Sequence, residues 1–145
     1  MIRRDSAVLL LFNDKGKFLL QHRAPTALRN PNYWGLFGGG MEGDENPLDA
    51  LCREIKEELN YTVRQPVMIA KMPYEAARTD GETNGGIWHV YIEKYDESQI
   101  LQQGEGQGMD WFSLEETASL LMIDEAREAV TMARALIMVD KRKVA

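Results

Sequence analysis

Residues 38–61 read GGGMEGDENPLDALCREIKEELNY, and this stretch decides the reading of the chain. Its second half is a helix with clear punctuation. Asn46 suits the N-cap and Pro47 the first helical position. Leu48, Leu51, Cys52, Ile55 and Leu59 recur at spacings of three and four and form one apolar face. Cys52 belongs to that face, so it is expected in the core, where free cysteine commonly lies. Asn60 ends the helix by taking the left-handed conformation. Upstream, Trp34 to Phe37 reads as a short strand that Gly38-Gly39-Gly40 breaks.

Glu54, Glu57 and Glu58 share one face of the helix, at roughly 100° per residue. Like charges at these spacings repel and weaken the helix. Two readings follow. One is a solvated acidic face, partly balanced by Arg53 and Lys56, since a short acidic run has little specificity. The other is a site for a hard divalent cation, which takes oxygen ligands from carboxylates. The glycines favour the second. They stand between strand and helix, where bare backbone approaches a phosphate or offers a carbonyl to a metal.

Outward from this stretch, Ser6 to Phe12 is a short apolar run, as of a buried strand. Asn13-Asp14-Lys15-Gly16 is a turn, and Lys17 to Arg23 the returning strand. Ala24 to Tyr33, with Pro25 and Pro31, is a loop. Thr62 to Met72 and Gly86 to Tyr95 read as strands, with Ala76 to Gly85 as their link. Gln107 to Ser113 is a further strand, in which Met109 and Trp111 pack on the sheet. Leu114 to Leu121 and Asp124 to Val139 read as helices, Asp124 being a good N-cap. Strands around a first helix, with helices at the end, predict an α+β mixed sheet sandwiched between helices. His22 and His89 fall in strands and take structural roles.

The 145 residues suit one domain, read as 1–145. A net charge of −6 argues against a partner of polymeric nucleic acid, which calls for a basic footprint. With Cys52 the only cysteine, no intramolecular disulfide forms. No apolar run is long enough to cross a membrane. The expectation is a cytoplasmic protein whose oligomeric state the sequence leaves open.

Together these residues resemble the Nudix box: Gly39, Glu45, Arg53-Glu54, Ile55, Glu57-Glu58, then Asn60 where the family has glycine, and Tyr61. Asn60 is a mild departure, since Asn tolerates the left-handed region. The likeness runs from about residue 6 to residue 113. Trp34-Gly35-Leu36-Phe37-Gly38-Gly39 is similar to the segment before the box in MutT-like relatives, with Phe37 replacing a proline. The resemblance implies the Nudix fold and a Mg²⁺ cofactor, with Mn²⁺ an alternative. It implies metal ligands in the Gly38 carbonyl, Glu57 and Glu58, and Glu54 as ligand or general base. Glu105, in Glu105-Gly106-Gln107, is the alternative base or a further ligand. Arg53 orients the glutamates, Glu45 supports the loop or joins the metal shell, and Arg23 stands where relatives place a phosphate-binding arginine. Trp34 either stacks on a base or joins the core. Asp124 lies near the point where MutT-like enzymes read the purine.

The implied reaction is attack of water on a diphosphate linkage in a small nucleotide. The leading substrate is a nucleoside triphosphate or an oxidised form such as 8-oxo-dGTP, giving monophosphate and pyrophosphate. ADP-ribose, nucleotide sugars and dinucleoside polyphosphates are the alternatives. Subfamilies for ADP-ribose and dinucleoside polyphosphates carry a proline or a tyrosine some way after the box. Here Pro73 and Tyr74 fall too early. A non-catalytic nucleotide sensor is a reading of another class, which degenerate box glutamates would favour; Glu54, Glu57 and Glu58 are all present.

Overall fold

The chain, as a computed structural model, describes residues 1–104 and 106–144, residues 140–144 by backbone alone. Eight strands and two helices run in the order β1 (Ile2–Arg3), β2 (Ser6–Phe12), β3 (Phe18–His22), β4 (Trp34–Gly35), β5 (Phe37–Gly40), α1 (Pro47–Leu59), β6 (Val67–Ala77), β7 (Thr83–Lys94), β8 (Gly108–Phe112) and α2 (Asp124–Val144). The predicted α+β mixed sheet between helices is what forms. β2 lies at its centre, parallel to β7 along its whole length and antiparallel to β5 on its other side. β6 flanks β7 antiparallel, and β3 pairs with β8 and β4.

β2 is apolar from Ala7 to Phe12 because both of its faces are covered. Val8 and Leu10 join Phe18, Trp88 and Val90 beneath α2, where Ala126, Ala129, Val130 and Ala133 let the helix approach closely. Ala7, Leu9 and Leu11 join Leu19, Phe37 and Tyr91 beneath α1, which contributes Leu51, Ile55 and Leu59. Alternate side chains of one strand thus serve two cores.

Helix α1 begins and ends as the sequence predicts. The Asn46 side chain accepts from the Asp49 N–H at 2.9 Å. Asn60 sits at φ 52°, ψ 36° and its N–H donates to the Lys56 carbonyl. The apolar face is narrower than expected. Leu48 and Cys52 are exposed, because only the row Leu51, Ile55 and Leu59, with Ala50, meets the sheet. The expectation of a core Cys52 is therefore corrected.

Four further expectations shift. The glycines do not break the strand: Gly38, Gly39 and Gly40 belong to β5 and pair with Val8, Ala7 and Ser6. The strand expected from Thr62 starts at Val67. The intervening backbone donors go to side chains instead of a ladder, Thr62 to Gln99 Oε1 and Arg64 and Gln65 to buried Glu93. The expected link over residues 76–85 is mostly hairpin, with Ala76 opposite Asn84 and Ala77 opposite Thr83. β1, unforeseen, secures it by pairing at Asn84 and Gly85. Finally, residues 114–121 contain only a 3₁₀ turn over Glu116–Ser119. Trp34 and Ile123 exchange backbone bonds here, Trp34 N–H to Leu121 O and Ile123 N–H to Trp34 O, drawing the chain out of helical form. Asp124 is the first residue of α2, and the first helical bond runs from the Arg127 N–H to the Ile123 carbonyl, so Ile123 holds the N-cap position expected of Asp124.

Candidate active site

The site is built where β5 meets α1. Gly38 has φ +137°, and a Cβ there would lie 2.2 Å from the Ala7 carbonyl oxygen. Only glycine lets β5 approach β2 this closely. The Gly38 N–H donates to Glu58 Oε2 at 3.1 Å, tying the helix to the strand. At Gly39 a Cβ would meet the Glu54 carboxylate at 2.5 Å. The two glycines thus face the two glutamates that flank one turn of α1.

Arg53 organises the rest. Its Nε and Nη2 donate to the two oxygens of Glu45 at 2.8 and 2.9 Å, a bidentate pair. Nη1 donates to Glu54 at 2.9 Å, and Nη2 also reaches the Gly40 carbonyl. Nη1 lies 3.6 Å from Glu57, which is mostly exposed. The Arg53 guanidinium holds the Glu45 carboxyl down at about 2, with help from the Glu42 N–H. The arginine's own pKa is raised, chiefly by its bond to Glu45.

The loop before β8 closes on the C-terminal end of α1. Gln102 N–H donates to Leu59 O, and Gly104 N–H to Glu58 O at 2.7 Å. Glu105 itself lies outside the described residues. Its neighbours Gly104 and Gly106 line one side of a cleft of about 410 Å³ whose other side includes Arg23 and Ala27. A second cleft, of about 400 Å³, shares Arg23 and Ala27 and reaches Gly40. Arg23 therefore stands between the two, its Nε bound to the Arg29 carbonyl at 2.9 Å.

Trp34 and Asp124 are the remaining sequence candidates. Trp34 stacks one face on His22, with ring centroids 4.4 Å apart, and meets Phe112 in a T-shaped contact. Asp124 is exposed, and neither it nor Trp34 lines the two Arg23 clefts. Arg4, Arg29, Arg78 and Asn84 do line the second cleft, and the sequence reading passed over all four. They come from three separated segments, the end of β1, the loop after β3 and the β6–β7 hairpin, so no local spacing marks them as a group.

The donor chemistry suits a hard cation: three carboxylates on one helical face beside a glycine backbone. Among the described residues, no three acidic, histidine or cysteine side chains close into a finished cage. Such an incomplete protein shell is compatible with Mg²⁺, which leaves positions to water and substrate phosphates.

The NUDIX domain family model matches residues 2–134. The CTP pyrophosphohydrolase of Escherichia coli is 32% identical over 110 residues, 75% of this chain and 76% of that protein. An RNA pyrophosphohydrolase of Marinomonas is 34% identical over 68 residues, 47% of this chain and 39% of that protein. The chain thus spans well under half the length of several curated relatives it matches. In fold, it is similar to the MutT NUDIX hydrolase of Burkholderia pseudomallei, with a TM-score of 0.74 at 24% identity, covering 91% of this chain and 98% of that one. With the family's model matching nearly end to end, and the fold of a MutT NUDIX hydrolase reproduced over most of its length, this chain belongs to the NUDIX domain family.

Proposed function

We propose that this chain, acting as one domain over residues 1–145, is a Mg²⁺-dependent pyrophosphohydrolase of small nucleotides, with Mn²⁺ able to serve in place of Mg²⁺. The preferred substrate is a nucleoside triphosphate, oxidised forms such as 8-oxo-dGTP included, giving monophosphate and pyrophosphate. One observation carries the reading: Glu58 seated on Gly38, with Glu54 and Glu57 on the same helical face. Similarity to a CTP and an RNA pyrophosphohydrolase supports the bond class.

Glu54, Glu57 and Glu58, with the Gly38 carbonyl, would hold the ion, which when bound offsets phosphate charge and makes a bound water more acidic. The chain's own groups do the rest. Arg53 fixes the carboxylate of Glu54 so that it does not swing into solvent. Arg23, between the two clefts, donates to phosphate oxygens. Water oxygen forms a bond to phosphorus, and the bridging P–O bond breaks with its electron pair leaving on pyrophosphate. The water's proton passes to a carboxylate, Glu54 or Glu105.

The test is hydrolysis of nucleoside triphosphates with Mg²⁺ in ¹⁸O-labelled water. Labelled oxygen is expected in only one of the two products. Glu57→Gln and Glu58→Gln should each lose most of the turnover while remaining folded by circular dichroism. Orthophosphate as the first product, or near-wild-type turnover in either variant, overturns the reading.

A further inference from the structure

The cleft beside Gly40 is lined by four arginines, Arg4, Arg23, Arg29 and Arg78, together with Tyr74 and Asn84. Among the described residues, no aspartate or glutamate lines it. In a chain of net charge −6, four arginines lining one cleft are a local concentration of positive charge. Arg78 is backed by Asp80 at 2.7 Å, and Arg4 lies 3.8 Å from Glu42, but both acids stand outside the lining. Among the described residues, no acidic side chain stands within salt-bridge distance of Arg29.

The walls also offer donors and few acceptors. Asn84 gives its carbonyl oxygen to Arg78 Nη1 at 3.3 Å, which leaves its NH₂ group. Backbone carbonyls at the rim are already engaged. Leu28 O accepts from Thr79 N–H, Arg29 O from Arg23, Gly40 O from Arg4 and Arg53, and Gly85 O from Arg4 N–H. Arginine donates five N–H groups and accepts none. A half-enclosed cleft of one sign focuses its field on an oppositely charged ligand. Such a wall is matched by a group that only accepts and is anionic, which is a phosphate chain.

The segments that carry Arg29 and Arg78 are braced against each other. Arg29 and Arg78 form an antiparallel bridge, and the Thr79 N–H holds the Leu28 carbonyl at 2.9 Å. The two arginines are therefore carried by backbone segments braced on each other.

We infer that this cleft binds the polyphosphate tail of the substrate, and that Arg29 and Arg78 set a preference for triphosphates over diphosphates. The preference rests on the pyrophosphohydrolase reading; binding of a polyphosphate anion in this cleft does not. The experiment is calorimetric titration of inorganic tripolyphosphate into the protein in a chelator, for wild type, Arg29→Gln and Arg78→Gln. Wild type should bind with an affinity that falls as salt rises. Each variant should bind about tenfold more weakly, the usual scale for one charge-assisted hydrogen bond. In the Mg²⁺ assay, the ratio of kcat/KM for a nucleoside triphosphate to that for the matching diphosphate should fall in both variants. Unchanged tripolyphosphate binding in Arg29→Gln overturns the inference, even if hydrolysis proceeds. A changed guanine-to-adenine preference with an unchanged tri- to diphosphate ratio also overturns it, by showing that the arginines read a base edge. Tripolyphosphate binding without any hydrolysis leaves the cleft assignment standing and removes the enzymatic reading instead.

Discussion

At the scale of single residues, Arg53 and Glu45 show how the box holds itself together. Glu45 lies eight residues before Arg53, outside the helix, yet accepts two of its hydrogen bonds. A carboxyl held at about 2 against an ordinary value of 4.5 stabilises the fold when ionised. That contribution is fully present above pH 4.5 and is lost as pH falls towards 2. Melting temperatures of wild type and Glu45→Gln, measured from pH 6 down to pH 2, should therefore converge across that window. A difference that stays constant with pH would show that Glu45 acts by packing or shape, not by its charge. Glu45 and Arg53 were visible in the sequence because the resemblance lists them. What joins them was not, since the loop over residues 41–46 must fold back before the pair can meet.

At the scale of elements, α1 is the best-specified piece of the chain. Its start, its stop and its acidic face follow from local chemistry alone. Asn60 is the test of that claim, being exposed, left-handed and without a packed side chain. Glycine adopts this conformation at no steric cost, and other residues pay about 1 kcal/mol or more. Asn60→Gly should leave stability equal or raise it by up to about 1 kcal/mol, and Asn60→Ala should lower it by about 1 kcal/mol. Urea unfolding at neutral pH measures both. Equal stability of all three proteins would mean that the helix end is set by the Gln102 and Gly104 contacts on its last carbonyls. The β6–β7 hairpin is the opposite case. Gly85, Gly86 and Asn84 are poor strand formers. They are held extended by β1 on one side and β6 on the other, which local propensity does not reveal.

At the scale of the whole molecule, β2 divides the interior. Leu9 and Leu10 are adjacent in sequence, are both fully buried, and belong to different cores. Leu9→Ala should open space beneath α1, and Leu10→Ala beneath α2. Each should cost about 2–5 kcal/mol. Chemical denaturation of the two variants checks this. A cost under about 1 kcal/mol for either would mean that its layer relaxes to fill the gap. The functional layout follows the same division. α1 and its glutamates cover one side of β2, while the arginine cleft gathers residues from β1's end, the loop after β3 and the β6–β7 hairpin. Among the described residues, no helix is long and apolar enough to cross a membrane.

By itself the sequence determined the α1 helix with its caps, the buried central strand and the shared face of Glu54, Glu57 and Glu58. These rest on periodicity and on capping, which act over a few residues. The tertiary structure alone decided which apolar positions of α1 are covered, and so left Cys52 exposed. It also placed Gly38 to Gly40 inside a strand, because their missing side chains matter only where β2 comes close. It also stacked Trp34 on His22, a pairing that the sequence does not show because the neighbours across the sheet have to be in place first. The four arginines of the cleft are the clearest instance. Their juxtaposition depends on loops and strands far apart in sequence, and only the assembled sheet brings them to one place.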